Sequence, residues 1–361
     1  MLFFNKRPNT EFINHERNSF NIDISRSNII FGDNKDVLLD LMHELKGKVD
    51  LVYIDPPFKT NQNFEISDGR VRTISRSKNG IVAYSDVMEK EEFLLFIYER
   101  FVLLHEVLSE KGSIYVHIDG KMSHYFKVML DEIFGDDNFK NDITRIKSNP
   151  KNFDRKAYGN QKDVILFYSK DHTKNIWNDV RTAITDDEEI AKKFPKIDPD
   201  GRRYTTIPLH APGETNGATG RLWRGMPPPA GRHWRTNPEE FDRMDAEGLI
   251  EWSANGNPRI KKFADEHKGI KIQDIWTFKD PQYPVYPTEK NLDMLSLIVQ
   301  QSSSPDSIVL DCFAGSGTSL LAAAMNGRRF IGIDNSQIAL NAMQEKLKDY
   351  DYDIVNYKKT I

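Results

Sequence analysis

Short apolar runs alternate along most of this chain with segments of helical spacing, and that alternation restricts it to a layered α/β fold. The runs SNIIFGD (27–33), VDLVYI (49–54), SIYVHID (113–119), DVILFYSK (163–170), SIVLD (307–311) and RRFIGID (328–334) have strand length. Between them, 35–47, 91–112, 122–135, 289–303 and 318–327 place apolar residues at the spacing of a helix with one buried face. Strands joined through helices predict a parallel sheet covered on both faces. The segment 91–112 is expected to run as one amphipathic helix up to Gly112. From about 185 to 275 the alternation stops, and Pro, Gly, Trp and Arg accumulate, as in HAPGETNGATGRLWRGMPPPAGRHWR (210–235). The expected organisation is one α/β domain in two halves, 22–180 and 276–350, split by an irregular insert at 181–275.

Length and composition fit that picture. With 361 residues, 39% hydrophobic and 29% charged, the chain can build a globular core. No apolar run reaches the roughly 20 residues of a membrane helix, so no membrane partner is expected. MLFFNKRPNTEF lacks the apolar core and small-residue cleavage site of a signal peptide. A single cysteine, Cys312, allows no internal disulfide and fits a reducing cytoplasm. The net charge of −4 does not announce a nucleic-acid binder, but the charge is uneven. Residues 140–181 carry ten Lys/Arg against five Asp, and 201–235 carry six Arg against Glu214 alone. Such runs are often only solvated faces.

Two stretches carry chemistry. In IVLDCFAGSGTSLLAAAMNGRRFIGID (308–334), a strand ends at Asp311, a Gly-x-Gly turn (Gly315, Gly317) opens a helix, and a second strand ends on Asp334. The glycines let backbone approach a ligand, and the closing acid is placed to accept from ribose hydroxyls. A dinucleotide site needs a third glycine where Leu320 stands, so a nucleoside without pyrophosphate fits better, S-adenosylmethionine being the common one. An ordinary βαβ turn is the plain structural alternative. The second stretch, VDLVYIDPPF (49–58), ends a buried strand on Asp55, follows it with Pro56 and Pro57, and adds Phe58.

Together these stretches resemble the β-group amino-methyltransferases of DNA, especially the modification subunits of type III restriction systems and their shorter relatives. DPPF (55–58) matches the catalytic motif, FAGSGT (313–318) the cofactor loop, and FGD (31–33) the Gly-Asp ahead of the catalytic strand. GSIYVHID (112–119), KDVILFYSK (162–170) and DIWTF…YPTEKNLDMLSLIV (274–299) match further motifs. Catalytic motif first and cofactor motif last is the β-group order. Cys312 replaces a common Pro, Phe58 a commoner Tyr, and the chain is much shorter than type III subunits.

The resemblance implies a Rossmann-like class I methyltransferase fold with permuted motif order and a target-recognition domain at 181–275. It implies methyl transfer from S-adenosyl-L-methionine to the N6 amino group of an adenine flipped out of double-stranded DNA. A bacterial cytoplasmic protein, nucleoid-associated through DNA, is expected, with a restriction subunit and a second copy of the chain as candidate protein partners. An exocyclic amine is a poor nucleophile until acceptors hold its N–H bonds. Ionised Asp55 only accepts, and Pro56 and Pro57 contribute carbonyls without competing N–H groups. The Pro56 carbonyl is the family's second acceptor, and Phe58 offers a face for the extruded base. In-line displacement at a sulfonium needs positioning, with no metal or covalent intermediate.

By the same carry-over, Asp334 binds the ribose and Asp33 lies near the cofactor's adenine. Phe313, Ala314, Gly315, Ser316, Gly317 and Thr318 line the cofactor, and Lys290 with Thr288 faces the methionine carboxylate. Asp311 meets the α-amino group or only caps the turn. His105 and His117 lack metal-ligand spacing and read as structural. The loop 59–80 reads as an element that orders over DNA or cofactor, or as a solvated loop. Arg221, Arg224, Arg232 and Arg235 of the insert are the expected DNA contacts. The nearest alternative is a cytosine-N4 methyltransferase, which more often begins its motif with Ser. RNA- or protein-directed methyl transfer and a silent DNA-binding subunit fit less well.

Overall fold

The structure, a computed structural model, describes residues 20–57, 63–67, 70–74, 81–85, 90–149, 156–281 and 289–358, with backbone alone for 63–67, 70–74 and 81–85. The chain divides into two compact units, residues 1–180 with 273–361, and residues 181–272.

The first unit is built on nine strands: β1 (Asn28–Phe31), β2 (Val49–Ile54), β3 (Leu108–Ile118), β4 (Phe139–Ile146), β5 (Lys162–Ser169), β6 (Ile275–Trp276), β7 (Ile308–Asp311), β8 (Arg329–Asp334) and β9 (Asp353–Asn356). Their order is β6-β4-β5-β3-β2-β7-β8-β1-β9. The sheet is mixed, not all parallel: β5 runs antiparallel to both β3 and β4, and the other pairings are parallel. The reason lies in β4, whose sequence FKNDITRI alternates polar residues and hides a strand that pairs with β5. The pattern from 91 to 112 also divides differently. The helix covers Lys90–Val107, and Leu108 already pairs with Val49, so strand pairing overrides the glycine stop. Three strands, Asn63–Ser67, Arg70–Ile74 and Ile81–Ser85, form an antiparallel sheet where a loop is expected from sequence; residues 75–80 lie outside the described residues.

Side chains alternate across each strand. Val52, Ile54, Ile114, Val116, Leu166, Leu310, Cys312, Ile331 and Ile333 point to one face and are buried with Val37, Leu38, Phe93, Ile97, Phe101, Phe126 and Leu130 of three helices. Burial pushes the Cys312 thiol pKa up. The opposite face carries helices Leu292–Ser302 and Thr318–Met325. There the Tyr115 hydroxyl meets Ser302 Oγ at 2.7 Å. Helix Thr318–Met325 lies so close to β8 that a Cβ on Gly332 would stand 2.3 Å from Leu320 Cδ1.

The second unit has its own core. Strands Lys196–Ile197, Arg203–Pro208, Pro258–Phe263 and Ile250–Trp252 form an antiparallel sheet. A hairpin, His210–Pro212 with Arg232–Trp234, and helix Pro238–Ala246 complete it. Trp223, Trp234, Phe241, Leu209, Ile250 and Ile260 are buried together. The unit's two ends meet in a short ladder, Arg181–Thr182 against Ile270–Lys271. Among the described residues, no helix is long and apolar enough to cross a membrane.

Because Leu320 is fully buried, it has no room to yield to a methyl group on Gly332. Gly332→Ala is expected to cost about 1–3 kcal/mol in urea unfolding. In a Leu320→Ala background the same change should cost markedly less. Equal costs in both backgrounds would mean that this contact does not set the helix–sheet distance.

Candidate functional site

The strand alternation that fills the core also sorts the acids. Leu310 and Cys312 face the first helix layer, so Asp311 between them faces the second. Ile333 likewise sends Asp334 to that side, and Ile54 sends Asp55. Three acids therefore lie on one face at the carboxyl ends of adjacent strands β2, β7 and β8, where open α/β sheets bind ligands.

Asp55 follows the last residue of β2. Its Oδ2 forms an ion pair with Lys290 Nζ, although both side chains are largely shielded from solvent. Its Oδ1 is buried and accepts no hydrogen bond among the described residues. Pro56 and Pro57 follow in the described chain; Phe58 and Thr288 lie outside the described residues.

The cofactor-type loop is folded on the other two acids. Asp311 Oδ1 accepts from the Phe313 N–H at 2.9 Å, and Ser319 Oγ donates to Oδ2. Burial raises the Asp311 carboxyl to about 7. Asp334 Oδ2 accepts from the Gly315 N–H at 2.9 Å and Oδ1 from the Ser336 N–H at 2.9 Å. Burial pushes its pKa up as well. Gly317 has φ +74°, and a Cβ there would lie 2.8 Å from Met343 Cγ, so glycine is required on both counts. Ala314, Ser316 and Thr318 are buried in the turn, and Phe313 packs 6.2 Å from Phe96 between ring centroids.

Asp33 caps helix Asn34–Asp40, accepting from the Lys35 N–H at 2.9 Å and the Asp36 N–H at 3.2 Å. Its other oxygen lies 3.5 Å from Arg100 Nη2. Arg100, a buried cation that sequence reasoning passed over, also donates to Asn34 Oδ1 at 2.6 Å. Lys346 is a second omission. Its ammonium pairs with Glu289 and donates to Ser316 Oγ at 3.1 Å and Thr318 Oγ1 at 2.8 Å. Nothing in the sequence separates it from an exposed lysine in the last turn of a helix.

A buried polar chain occupies the same sheet face. The Tyr53 hydroxyl donates to His117 Nδ1 at 2.9 Å, and His117 Nε2 donates to Asp163 Oδ2 at 3.3 Å. Burial pushes the His117 imidazole down, consistent with this neutral tautomer. Burial opposes charge on Asp163, but His117 and Lys147 outweigh it and hold the carboxyl well below its usual range.

In the second unit the four arginines differ. Arg221 forms a two-pronged pair with Glu239 at 2.8 Å, and Arg224 bridges Asp242 and Asp245 at 2.9 and 2.6 Å. Both brace helix Pro238–Ala246. Arg232 and Arg235 are exposed and meet no carboxylate among the described residues.

Residues 49–345 match the family described as DNA methylase. The chain is 41% identical over 326 residues to the type II methyltransferase M.EcaI of Enterobacter cloacae, spanning 89% of this chain and 69% of that protein. It is 25% identical over 328 residues to the StyLTI Mod subunit, a type III restriction-modification enzyme of Salmonella typhimurium, spanning 81% of this chain but 49% of that subunit. A solved M1.HpyAVI–SAM complex aligns over 89% of this chain and 98% of that one, at 17% identity and TM-score 0.49.

Asp311 makes stability depend on pH. With its carboxyl raised to about 7, the folded state keeps a proton that the unfolded chain releases near pH 4. That contribution is present below about pH 4 and is lost as pH rises towards 7. Asp311→Asn removes the titration. Relative to the parent, the variant should gain stability by at most about 1.4 kcal/mol per pH unit across this window, then level off. Urea unfolding of the cofactor-free protein across the window checks it; a constant difference would contradict the raised value.

Proposed function

This chain belongs to the DNA methylase family, and from that premise we propose that it transfers a methyl group from S-adenosyl-L-methionine to the N6 amino group of an adenine flipped out of double-stranded DNA. The observation that carries the reading is Asp55. One carboxylate oxygen is held by Lys290, and the other is buried and accepts from nothing among the described residues. An oxygen buried without a donor is costly unless a donor arrives. An exocyclic amine supplies such an N–H, and the carbonyl of Pro56, which has no N–H of its own, is the proposed second acceptor. Two acceptors draw the nitrogen towards tetrahedral geometry and aim its lone pair away from the ring. An acid rather than serine at position 55 supports adenine over cytosine.

The residues around 311–334 fit the cofactor. Gly317 holds the turn in a left-handed conformation packed against Met343, Asp334 offers its carboxylate to ribose hydroxyls, and Asp311 is a buried acid that a cationic α-amino group would ionise. When bound, S-adenosyl-L-methionine supplies an electrophilic methyl on a sulfonium. Lys290 holds Asp55, and Lys346 fixes the hydroxyls of Ser316 and Thr318 at the turn. Asp33 is assigned to the adenine end of the cofactor, with Arg100 holding its far oxygen. The 181–272 unit is the proposed target-recognition element. The named relatives support a place in a restriction-modification system, with a restriction subunit or a second copy of the chain as partners to test.

Asp55→Ala should abolish methyl transfer while leaving S-adenosylmethionine affinity within a few-fold, measured by calorimetry beside a turnover assay. Near-full turnover would remove Asp55 from the chemistry. Mass spectrometry of nucleosides from methylated DNA should find N6-methyladenine; N4-methylcytosine alone would move the reading to the cytosine enzymes.

A further inference from the structure

Three arginines of the second unit gather on one stretch of backbone, residues 206–210. Arg259 lies opposite Pro208 in the sheet, and its Nε and Nη2 donate to Thr206 Oγ1 at 2.8 Å and to the Thr206 carbonyl at 2.9 Å. The Arg235 Nε donates to the Pro208 carbonyl at 3.0 Å, while its backbone N–H donates to Leu209 at 2.8 Å. Arg232 Nη1 donates to His210 Nδ1 at 3.4 Å. Each guanidinium is thus held along one edge by a neutral acceptor, with further N–H groups left over.

The surroundings set these three apart from four other arginines of the unit. Arg202, Arg221, Arg224 and Arg243 of the same unit are all paired with carboxylates. Among the described residues, no carboxylate pairs with Arg232, Arg235 or Arg259. His210 is pushed down by burial and then by these same three arginines, so it stays neutral and accepts. The neighbouring acids are engaged elsewhere: Glu251, opposite Arg259 in the sheet, is held by Lys196 and the Tyr204 hydroxyl, and Glu214 accepts from the Gly231 N–H, so the cluster concentrates positive charge without an ion-pair partner among the described residues. A neutral base edge would leave that charge uncompensated, whereas one anion relieves it. Of the parts of DNA, only the backbone phosphate carries that charge.

We propose that Arg232, Arg235 and Arg259, with His210 holding Arg232, form a clamp for one DNA backbone phosphate and read no sequence. The clamp rests on the DNA-methyltransferase reading. It divides the insert's arginines into two classes: Arg221 and Arg224 brace the fold, and the clamp meets DNA.

The test is a fluorescence-anisotropy titration of the full chain against two duplexes. One contains the site that sequencing of its modified DNA defines, and the other is a scrambled duplex of equal length. Salt is varied between about 50 and 200 mM. Arg259→Ala and Arg232→Ala are each expected to weaken both duplexes by the same factor, roughly five- to thirty-fold at low salt. The slope of log affinity against log salt should fall by about one. Arg259→Lys should recover most of the loss. Weakening confined to the site-bearing duplex would overturn the clamp in favour of base reading. Unchanged affinity for both would overturn it as a solvated face. A parent protein that methylates no DNA at all would instead overturn the reading beneath it.

Discussion

Leu51 and Val52 pair with Val309 and Leu310, and this short parallel ladder joins two halves of a domain that lie far apart in sequence. Every acid at the site depends on it. A slip of one residue would send either Asp55 or Asp311 into the apolar helix layer on the other face. The register is pinned at the amino end of the strands, where Asp50 accepts from Ser109 Oγ at 2.6 Å and Ser307 Oγ at 2.7 Å. At the carboxyl end, Asn34 Nδ2 donates to the Cys312 carbonyl at 2.7 Å, and Arg100 holds Asn34.

The sheet face below Asp55 is polar where an ordinary core would be apolar. Tyr53, His117, Asp163 and Arg145 are all buried there. Isolated charges in that position would cost several kcal/mol each. They persist because each is joined to the next. Arg145 lies 3.6 Å from Asp163, pairs with Asp280, and donates to the Phe278 carbonyl at 2.9 Å. Asn291 Nδ2 then donates to the Lys279 carbonyl at 3.1 Å. The stretch on either side of Lys279 and the start of the helix beyond Lys290 are thereby tied to the sheet edge. The ion pair at Asp55 is built on a fixed support.

Much of this was legible in the sequence, for local reasons. A buried strand ending on Asp-Pro-Pro and a strand–glycine turn–helix–strand unit each declare themselves within thirty residues. What escaped depends on partners distant in sequence. The strand Phe139–Ile146 looks polar because part of it lies at half-buried positions, and without it β5 passes for one more parallel strand. Asp353–Asn356 is too short and too polar to announce an edge strand. The insert's strands of two to six residues are too brief for periodicity, so its tryptophan-rich core had no pattern to reveal it. Trp223 and Trp234, which lie among the arginines in sequence, are both buried in that core. Lys290 was read as a cofactor ligand, and its ion pair with Asp55 is a contact no spacing rule predicts.

The ladder between Arg181–Thr182 and Ile270–Lys271 brings the two ends of the second unit side by side. A segment whose ends already meet adds little loop-closure entropy to its host, whatever its interior. The buried cluster of Leu209, Trp223, Trp234, Phe241, Ile250 and Ile260 is drawn from residues inside that stretch. Exchange of the stretch from 181 to 272 between genes would thus need only two crossovers, one at each foot of the ladder. Such an exchange would leave every strand of the nine-stranded sheet encoded as before.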